Sequence, residues 1–534
     1  MTYDALIVGF GPVGATMANL LARRGLRVGV VETENAIYDK PRALTFDHEA
    51  MRVFQACGLA QSIAKFTAPH LGTHFLGMDG RVIKKFVPMP PPYPLSWPPT
   101  STFVQPEVER LLREGTTAST TVDVMLGHRA LAFTQDDRGV ALTVRDVARG
   151  QERELQAHVL LGCDGANSFV RKQLGIALED LGFDEWWMVV DVRIQRPVEL
   201  PSTSIQYCWP SRPSTLVPGP GNLRRWEIKL LPGENPEEFG RYESVVQQIS
   251  RFVDPSCVEI WRSAVYRFHA LLARRWRHGR VFLLGDACHQ TPPFLGQGMC
   301  AGIRDAANLA WKLAMVLQEG APDALLDSYE AERKPHVRTL VATAKEFGLI
   351  IGELDPAAAR IRDETLRGQL ERGEAETIRQ RFVPNLTTGI IDRDPDARGA
   401  GSLFVQPKIR RRARANAPES EVMLDDLLQP RFLIASATSE VQGWLTPESL
   451  ALWRRLGGER IVIGPPEQTP PSHLLADNDI QYVTETDSLF ATWMRQLDSA
   501  AVVVRPDRYV FGTARDAAQL NRLIASVGRH VMAP

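Results

Sequence analysis

Cysteine is scarce in this sequence, and none follows Cys300. The six cysteines lie at positions 57, 163, 208, 257, 288 and 300 of a chain of 534 residues. No two of them form a C-x-x-C pair, and no Cys/His cluster has the spacing of zinc ligands. We therefore expect neither a disulfide framework nor a metal site, and a reducing cytoplasm is the compartment that fits best.

An excess of charge of either sign is also missing. The chain has 62 basic and 63 acidic residues and a formal net charge of -1, which gives no support for general nucleic-acid binding. No apolar run reaches the roughly 18–20 residues that a membrane helix needs. The opening MTYDALIVGFGPVG enters a strand pattern without a basic leader. We expect a cytoplasmic protein with no signal peptide, no membrane segment and no nucleic-acid partner.

The first 32 residues have the pattern of one strand–helix–strand unit. Residues 3–9 form a short aliphatic run that is typical of a buried strand. Residues 12–24 follow a helical pattern, and residues 27–32 read as a second strand. Such a βαβ unit places a loop between its first strand and its helix, where a ligand can bind.

The segment GFGPVG in this loop has the glycine spacing of a dinucleotide site. Gly9 permits a tight turn, Gly11 lets a pyrophosphate approach the backbone, and Gly14 allows the helix to pack closely on the strand. The predicted helix begins with Pro12 and Val13. Its first turn offers free N–H groups and the positive end of the helix dipole to the phosphates. The loop therefore predicts a pyrophosphate-binding turn.

Glu32 ends the second strand, where a carboxylate can accept hydrogen bonds from ribose hydroxyls. Its negative charge would repel a 2′-phosphate, which favours FAD or NAD over NADP. The motif by itself does not separate FAD from NAD. A glycine-rich turn without a ligand is the alternative interpretation.

Two further motifs distinguish between FAD and NAD as the cofactor. GCDGANS at residues 162–168 resembles the DG motif of the class A flavoprotein monooxygenases, the para-hydroxybenzoate hydroxylase type. GDACH at residues 285–289, followed by PP and GQGM, resembles their GD motif. Because three motifs occur in the family's order, the resemblance is specific and indicates FAD.

The resemblance implies an α/β fold with interleaved domains. A Rossmann-like FAD-binding domain would alternate with a β-rich substrate domain and precede a thioredoxin-like domain. We assign residues 1–85, 101–175 and 276–345 to the FAD-binding domain, 86–100 and 176–275 to the substrate domain, 346–420 to a helical segment and linker, and 421–534 to the C-terminal domain. The proline-dense residues 86–100 cannot form a helix or a central strand, so they predict a surface loop or a crossing between lobes.

The GD motif provides further contacts to FAD. Asp286 ends a buried strand pattern, where its carboxylate needs a partner such as the ribityl hydroxyls. The loop from Gly296 to Gly298 and Met299 precedes a helical pattern over 302–318, so its N–H groups can face the pyrimidine edge of the flavin. The resemblance adds to the expected FAD contacts Arg42, Gln105, Asp164 and Pro293. A capped turn at Asp286, and an ion pair or helix cap at Arg42 and Gln105, are the alternatives.

The resemblance also implies the chemistry. Flavin reduced by NADH or NADPH would react with O2 to a C4a-hydroperoxide, whose distal oxygen attacks an electron-rich ring. The ring would lie near Pro293, where a free prolyl carbonyl could accept the phenolic proton. Asp47 and His48 are the side-chain candidates for a base or a substrate anchor. A helix N-cap is the alternative for Asp47, and a surface or core position is the alternative for His48.

The segments WWMVVD and RRWEIK lie where such enzymes build the sheet over the substrate. Trp186, Trp187 and Asp191 predict a pocket wall, with ordinary core packing as the alternative. Arg225, next to Trp226, is a candidate to hold a substrate carboxylate.

Residues 421–534 resemble the C-terminal domain of the phenol hydroxylase and 3-(3-hydroxyphenyl)propionate hydroxylase branch. This domain contains no cysteine, so it cannot perform dithiol chemistry, and its implied role is structural, with homodimer contacts as one option. The opening glycine segment, PRAL and WWMVVD are most similar to the hydroxyphenylpropionate hydroxylases, but many departures leave the substrate open.

The sequence thus predicts an FAD-dependent monooxygenase that hydroxylates a small phenolic compound with NADH or NADPH and O2. Intact glycine loops also fit a flavin reductase or dehydrogenase acting on a non-aromatic substrate, and a flavin-binding sensor. A flavin halogenase would carry W-x-W-x-I-P, and WWMVVD differs from that motif.

Overall fold

The computed structural model describes residues 2–394, 398–411, 420–466 and 479–532. Contacts between them define two compact units. Unit 1 comprises the described residues of 1–89, 98–304 and 337–384, and unit 2 those of 90–97, 305–336 and 385–534.

Unit 1 contains most of the strands. They are β1 (Thr2–Val8), β2 (Val28–Val31), β3 (Thr45–Asp47), β4 (Thr67–Pro69), β5 (Thr73–Leu76), β6 (Val82–Val87), β7 (Thr100–Phe103), β8 (Val122–Met125), β9 (His128–Gln135), β10 (Val140–Asp146), β11 (Glu152–Gly162), β12 (Leu178–Ile194), β13 (Ser204–Tyr207), β14 (Ser214–Pro218), β15 (Leu223–Lys229), β16 (Val258–Ala273), β17 (Arg277–His278), β18 (Val281–Leu283), β19 (His289–Gln290) and β20 (Glu376–Ile378).

The helices in the first 380 residues follow the same order. They are α1 (Pro12–Ala22), α2 (His48–Ala56), α3 (Ala60–Ala64), α4 (Gln105–Thr117), α5 (Phe169–Gln173), α6 (Pro236–Phe239), α7 (Tyr242–Ile249), α8 (Gly298–Gln318), α9 (Asp327–Gly352) and α10 (Pro356–Glu371). The boundary between the units falls within α8 and α9, so each of these helices contributes residues to both.

The first sheet of unit 1 carries the dinucleotide motif. Its path is β17-β18-β11-β1-β2-β8, with β10 and β9 attached beside β11. β1 pairs in parallel with both β2 and β11, and β11 with β18. The second half of β1, Ala5–Val8, is aliphatic and buried, and β2 is fully buried, as expected for strands covered on both faces. The carboxyl ends of these parallel strands carry the loops after Val8, Val31 and Gly162.

The second sheet runs β19-β16-β12-β15-β14-β13-β5-β6-β20. Its long strands β12 and β16 are antiparallel to each other. One cluster of buried apolar side chains packs between this sheet and α6 and α7; among its members are Met188, Val190, Trp226, Phe239 and Val245. A small third sheet, β3-β7-β4, lies in the same unit. The predicted β-rich lobe thus contains two helices that the strand pattern did not indicate.

Unit 2 contains a mixed sheet of its own. Its strands are β21 (Lys408–Arg411), β22 (Ser420–Met423), β23 (Leu433–Ser436), β24 (Glu459–Gly464), β25 (Gln481–Glu485), β26 (Ala501–Val504) and β27 (Val510–Ala514), in the order β22-β21-β25-β24-β23-β26-β27. Its later helices are α11 (Pro447–Arg455), α12 (Leu489–Leu497) and α13 (Ala517–Val531). The described part of the chain is therefore mixed α/β with a C-terminal domain, as predicted.

Two short segments group differently from the predicted boundaries. Residues 90–97 and 305–336 cluster with unit 2, although the sequence interpretation placed them in the substrate and FAD-binding domains. Within the proline-dense loop, Trp97 is buried and Ser96 donates a hydrogen bond to the carbonyl of Gln406 at 2.6 Å. Such long-range contacts leave no local pattern.

The predicted helical segment and linker, residues 346–420, is only partly described, since residues 395–397 and 412–419 lie outside the described ranges. Strand β21 begins inside this segment. The predicted helix over 302–318 begins at Gly298, four residues earlier than its apolar pattern indicated.

Candidate active site

Unit 1 encloses a cavity of about 710 Å³. Most of the residues predicted to bind the cofactor line it: Gly9, Gly11, Pro12, Val13, Glu32, Arg42, Gln105, Asp164, Asp286, Pro293, Gly296, Gly298 and Met299. Of the residues predicted to bind the cofactor or to take part in catalysis, Gly14, Asp47 and His48 do not line it. The cavity therefore gathers residues that are distant in the sequence.

The glycine loop after β1 is shaped by close backbone packing. Gly9 has φ +98, and a Cβ there would lie 2.4 Å from the carbonyl oxygen of Cys163. A Cβ on Gly14 would lie 2.1 Å from the carbonyl oxygen of Gly9, so α1 could not stay against the loop. At Gly11, by contrast, no described atom lies within 4 Å of the Cβ position. The second glycine therefore faces open space, which is where a pyrophosphate would need room.

Glu32 is held by the backbone at the carboxyl end of β2. Its two carboxylate oxygens accept hydrogen bonds from the N–H groups of Phe10 at 2.8 Å and Glu34 at 2.9 Å. Each oxygen keeps a second lone pair, so the side chain can still accept a hydrogen bond from a ribose hydroxyl. The position matches the predicted ribose contact.

Asp164 has one carboxylate oxygen without a hydrogen-bond partner among the described residues. Its Oδ2 accepts from the N–H of Val170 at 3.0 Å, whereas Oδ1 is buried and unpaired. Burial raises the pKa of this carboxyl, and hydrogen bonds from Ser168 and Val170 only partly oppose the rise. Because a buried unpaired oxygen is costly, a polar ligand in the cavity would stabilise it.

Asp286 and the first residue of α8, Gly298, also line the cavity. Asp286 lies in a tight turn, Gly285–Ala287, that follows β18. The residue is accessible because it lines the cavity, although protein surrounds it. Burial raises its pKa, which His289 and Arg42 counteract. No described atom lies within 4 Å of a Cβ on Gly298, where α8 begins. The first N–H groups of a helix have no partners within it, so they are available to a ligand.

These features fit FAD. The open glycine turn and the N-terminus of α1 would hold the pyrophosphate, and Glu32 would hold a ribose. Asp286 would contact the ribityl chain, and the start of α8 would face the flavin ring. The unpaired oxygen of Asp164 and the open space at Gly11 and Gly298 are the observations that carry this fit.

Gln105 positions a loop beside this site. Its amide oxygen accepts hydrogen bonds from the N–H groups of Arg42 at 2.8 Å and Ala43 at 2.6 Å. Gln105 is the first residue of α4 and is buried. It therefore fixes the segment that carries the Arg42 side chain into the cavity, in addition to lining the cavity itself.

Arg225 does not have a free guanidinium for a substrate carboxylate. It contacts the carboxylate of Asp191 at 2.8 and 3.0 Å and donates to the carbonyls of Pro41 and Arg42 at 2.9 and 2.8 Å. Arg262 contacts the same carboxylate at 3.2 Å. The expectation that Arg225 holds a substrate is corrected, because buried partners already occupy its donors.

Asp47 is placed in the core, away from the cavity. Its Oδ1 caps α2 by accepting from the N–H of Ala50 at 3.0 Å, and its Oδ2 pairs with Arg304, which also pairs with Glu49. Burial raises the pKa of Asp47, but Arg304 outweighs this and brings the pKa below its ordinary value. The structure therefore favours the capping role over the catalytic one.

His48 lies beside Asp47 and is also buried. Burial lowers its pKa to about 4, so the ring is neutral near pH 7. Since His48 does not line the cavity, we no longer assign it to the chemistry.

The carbonyl of Pro293 is not entirely free. It accepts the N–H of Gly296 at 2.8 Å and closes the turn Pro293–Leu295. Gly296 has φ +62, a left-handed conformation that glycine adopts without strain. One lone pair of the Pro293 oxygen remains. This oxygen can therefore accept one further hydrogen bond, such as the one expected from a phenolic O–H.

The tryptophans of β12 and β15 are not among the described residues that line the cavity. Trp187 and Trp226 are fully buried in the core, and Trp186 is partly exposed. Trp187 stacks on Phe268 with ring centroids 6.0 Å apart, and Phe268 reaches the cavity. Core packing is therefore the interpretation that fits Trp187, and the aromatic side chains that line the cavity include Tyr266, Phe268 and Phe294.

A group of polar side chains in the cavity lining, called the polar end below, was missed by sequence analysis. It includes His70, Ser204, Gln206, Thr215 and Glu227. The N–H of Gly72 donates to Nδ1 of His70 at 3.2 Å, so in the neutral ring the proton is on Nε2, which lies 2.8 Å from Oγ of Ser204. Thr215 donates to Gln206 at 2.5 Å. These residues come from β13, β14, β15 and the loop after β4, and no motif links them.

Burial, together with the charge of Arg379, lowers the pKa of His70 to about 3. His70 is therefore neutral at physiological pH. With Nε2–H donating to Ser204, the serine hydroxyl can donate in turn to a ligand in the cavity.

Among the described residues, none of the helices is long and apolar enough to span a bilayer.

Comparisons with known proteins agree with this site. The family described as "FAD binding domain" matches residues 2–344, and the "HcaD C-terminal domain" matches residues 401–530. A 3-(3-hydroxy-phenyl)propionate/3-hydroxycinnamic acid hydroxylase of Paraburkholderia xenovorans is 33% identical over 95% of this chain and 88% of its own length. A probable NADH-specific resorcinol 4-hydroxylase of Rhodococcus jostii is 33% identical over 98% of this chain and 95% of its own.

Solved structures show the same fold. The flavin-dependent monooxygenase PieE, in complex with FAD and substrate, superposes with a TM-score of 0.81 at 20% identity, over 99% of both chains. OxyS anhydrotetracycline hydroxylase from Streptomyces rimosus gives a TM-score of 0.75 at 21% identity over 100% of both chains. The family match, the near full-length relatives and the fold agree, so this chain belongs to the FAD-dependent aromatic monooxygenases, in the branch of the 3-(3-hydroxyphenyl)propionate hydroxylases.

Proposed function

We propose that this enzyme hydroxylates a small phenolic compound, with NADH as the reductant and O2 as the oxidant. One oxygen atom enters the ring, the other leaves as water, and NADH becomes NAD⁺. When bound, FAD supplies the redox chemistry of both the reduction and the oxygenation. The relatives favour a 3-(3-hydroxyphenyl)propionate-type compound or resorcinol as substrate. The named resorcinol hydroxylase favours NADH over NADPH.

A single observation supports this proposal best. One cavity is lined both by predicted dinucleotide contacts, such as Gly11 and Asp286, and by polar and aromatic side chains, such as Ser204 and Phe268. A ring bound against the polar and aromatic side chains would share this cavity with the flavin. The aromatic side chains pack against its faces, and hydroxyl and carbonyl groups meet its phenolic O–H.

The protein's own part in the reaction is positioning. The remaining lone pair of the Pro293 oxygen and the hydroxyl of Ser204 are the groups that we propose for the phenolic O–H. Tyr266, Phe268 and Phe294 would keep water from the reacting atoms. The proposed cofactor contacts are the predicted ones that line the cavity, which leaves out Gly14. Asp47 and His48 are left out of the proposed catalytic residues.

The test is to add candidate phenols to the FAD-loaded protein and to follow NADH oxidation, O2 uptake and product mass together. We expect 3-(3-hydroxyphenyl)propionate or resorcinol to stimulate all three, with a product one oxygen atom heavier. If NADH oxidation is stimulated without oxygenated product, the protein is a reductase. If no phenol stimulates any signal, the proposal is wrong.

Two further parts of the proposal rest on the sequence. The six cysteines are free thiols in the structure, which suits a reducing cytoplasm. The branch resemblance suggests a homodimer. Cell fractionation tests the first, and light scattering of the FAD-loaded protein tests the second.

A further inference from the structure

The guanidinium of Arg379 lines the cavity and forms no ion pair with a carboxylate among the described residues. Arg379 lies in the turn Arg379–Phe382, directly after β20, and lines the cavity. Its Nε donates to the carbonyl of Leu295 at 3.1 Å, which fixes the side chain beside the turn at Pro293. Within the ranges that the structure describes, no Asp or Glu forms an ion pair with it. Burial lowers its pKa to about 10, yet it remains charged at neutral pH.

The other arginines near the polar end are already paired. Arg225 and Arg262 share the carboxylate of Asp191, and Arg267 pairs with Asp184. Arg379 differs from them, because the carboxylate whose charge acts on it, that of Asp47, is paired with Arg304 and does not line the cavity. A charge in this position costs free energy unless a counter-charge arrives, so it favours a negatively charged ligand.

The local sequence makes room for this guanidinium. A Cβ on Gly296 would lie 2.7 Å from Nη2 of Arg379 and 2.4 Å from Oγ1 of Thr45. Glycine at this position thus lets the guanidinium approach the turn where we place the aromatic ring. The positive charge of Arg379 also acts on His70 and helps to lower its pKa. The guanidinium is therefore close both to the proposed ring position and to the His70–Ser204 pair.

We propose that Arg379 is a specificity-determining residue that binds an anionic oxygen of the aromatic substrate. This inference rests on the proposed function and deepens it. Two oxygens have the required chemistry: the carboxylate of a side chain on the ring, and the phenolate of the ring itself. A guanidinium binds a carboxylate through two parallel hydrogen bonds, and it stabilises a phenolate through one or two.

The test measures ligand binding by the change in flavin absorbance, which does not require turnover. The FAD-loaded wild type, Arg379→Gln and Arg379→Lys are titrated with 3-(3-hydroxyphenyl)propionate, with 3-phenylpropionate, which has only the carboxylate, and with resorcinol, which has only phenolic groups. Arg381→Gln is the matched control, since Arg381 lies in the same turn but is exposed.

We expect Arg379→Gln to raise the dissociation constant on the order of 10- to 100-fold, as for the loss of a hydrogen bond to a charged group. Arg379→Lys keeps the charge and should recover part of the affinity. Arg381→Gln should match the wild type. A loss confined to the two carboxylate ligands identifies the carboxylate as the bound anion, and a loss that includes resorcinol identifies the phenolate.

The inference is overturned if Arg379→Gln binds all ligands of the series as the wild type does. If Arg379→Gln does not fold, Arg379→Lys decides, because unchanged affinity for every ligand would contradict a bidentate contact. Failure of the proposed function is a separate result. In that case the wild type would bind these ligands or others without hydroxylating them, and the binding constants of the variants would still decide the role of Arg379.

Discussion

The carboxylate of Asp47 is bound by the guanidinium of Arg304, 257 residues later in the chain. Asp47 precedes α2, and Arg304 lies in the second turn of α8, whose first residues line the cavity. Arg304 also donates to Gln297 at 2.8 Å, in the loop proposed to face the flavin. This ion pair therefore ties the start of α2 to the flavin loop without entering the cavity.

We predict that Asp47→Asn lowers the free energy of unfolding while leaving the chemistry nearly intact. Asparagine can still cap α2, but removing one partner of a buried pair costs about 3 kcal/mol. By contrast, the loss of a general base would lower kcat by on the order of 10²–10⁴. Urea unfolding and steady-state kinetics measure the two effects.

The control for this variant is Asp355→Asn. Asp355 caps α10 by accepting from the N–H of Ala357 at 2.9 Å, but it is exposed. We expect a change within about 0.5 kcal/mol. A kcat of Asp47→Asn reduced to the level of a lost base, at unchanged stability, would restore the catalytic assignment.

The glycine loop provides a second prediction. Gly11→Ala should leave the stability of the apoprotein within about 0.5 kcal/mol of the wild type, since φ at Gly11 is -69 and its Cβ would face open space. Gly14→Ala should cost about 3 kcal/mol, because its Cβ collides with the backbone of Gly9. Both should weaken FAD binding by at least about tenfold.

Thermal unfolding of the apoproteins and FAD titration by flavin fluorescence separate these two effects. Full FAD affinity in Gly11→Ala would show that the pyrophosphate does not approach the backbone at this position.

The buried histidines predict a dependence of stability on pH. The pKa of His70 is lowered from 6.5 to about 3, and that of His48 to about 4. Between these values and 6.5 the unfolded chain binds more protons, so stability falls as the pH drops below about 6.5. Carboxylates titrate mainly below pH 5. The change in stability between pH 6.5 and 5 therefore reflects the titration of the histidines.

His70→Gln should therefore lose less stability than the wild type between pH 6.5 and 5. The melting temperature of each protein, measured across this interval, gives the comparison. Parallel curves would mean that His70 is not buried in its neutral form.

Unit 2 has a buried charge cluster of its own around Glu332. Its carboxylate accepts hydrogen bonds from Arg505 at 2.8 and 3.0 Å, from Lys312 at 2.8 Å and from Asn308 at 2.6 Å. Burial raises the pKa of Glu332, but Arg505 and Lys312 outweigh this and bring it far below its ordinary value. We expect Glu332→Gln to cost about 3–5 kcal/mol, because the buried Lys312 loses its carboxylate partner and Arg505 keeps only Asp507.

The sign of the pH dependence follows from the lowered pKa. The stabilisation by Glu332 is fully present above the unfolded pKa near 4.5 and is lost as the pH falls through lower values. Asp498→Asn, which removes an exposed ion pair with Arg515, should cost at most about 1 kcal/mol. A Glu332→Gln variant as stable as this control at pH 7 would disprove the prediction.

The cofactor end of the site was largely predictable, because its residues lie in contiguous motifs. Gly9, Gly11 and Gly14 act within one turn, and Asp286 lies in the turn after a buried strand. The polar end was not predictable: His70, Ser204 and Arg379 come from three distant segments, and each alone is an ordinary residue. Arg225 shows the converse, since only the structure reveals that Asp191 already binds it.

The sequence by itself determined that the chain binds a dinucleotide and has a mixed α/β fold, because turn geometry and strand burial depend on neighbouring residues. The tertiary structure decided which charges are neutralised and which face the cavity. Asp47 is held by the ion pair with Arg304, and Arg379 is a candidate anchor because no carboxylate among the described residues forms an ion pair with it. Such pairing depends on long-range packing, which no local pattern encodes.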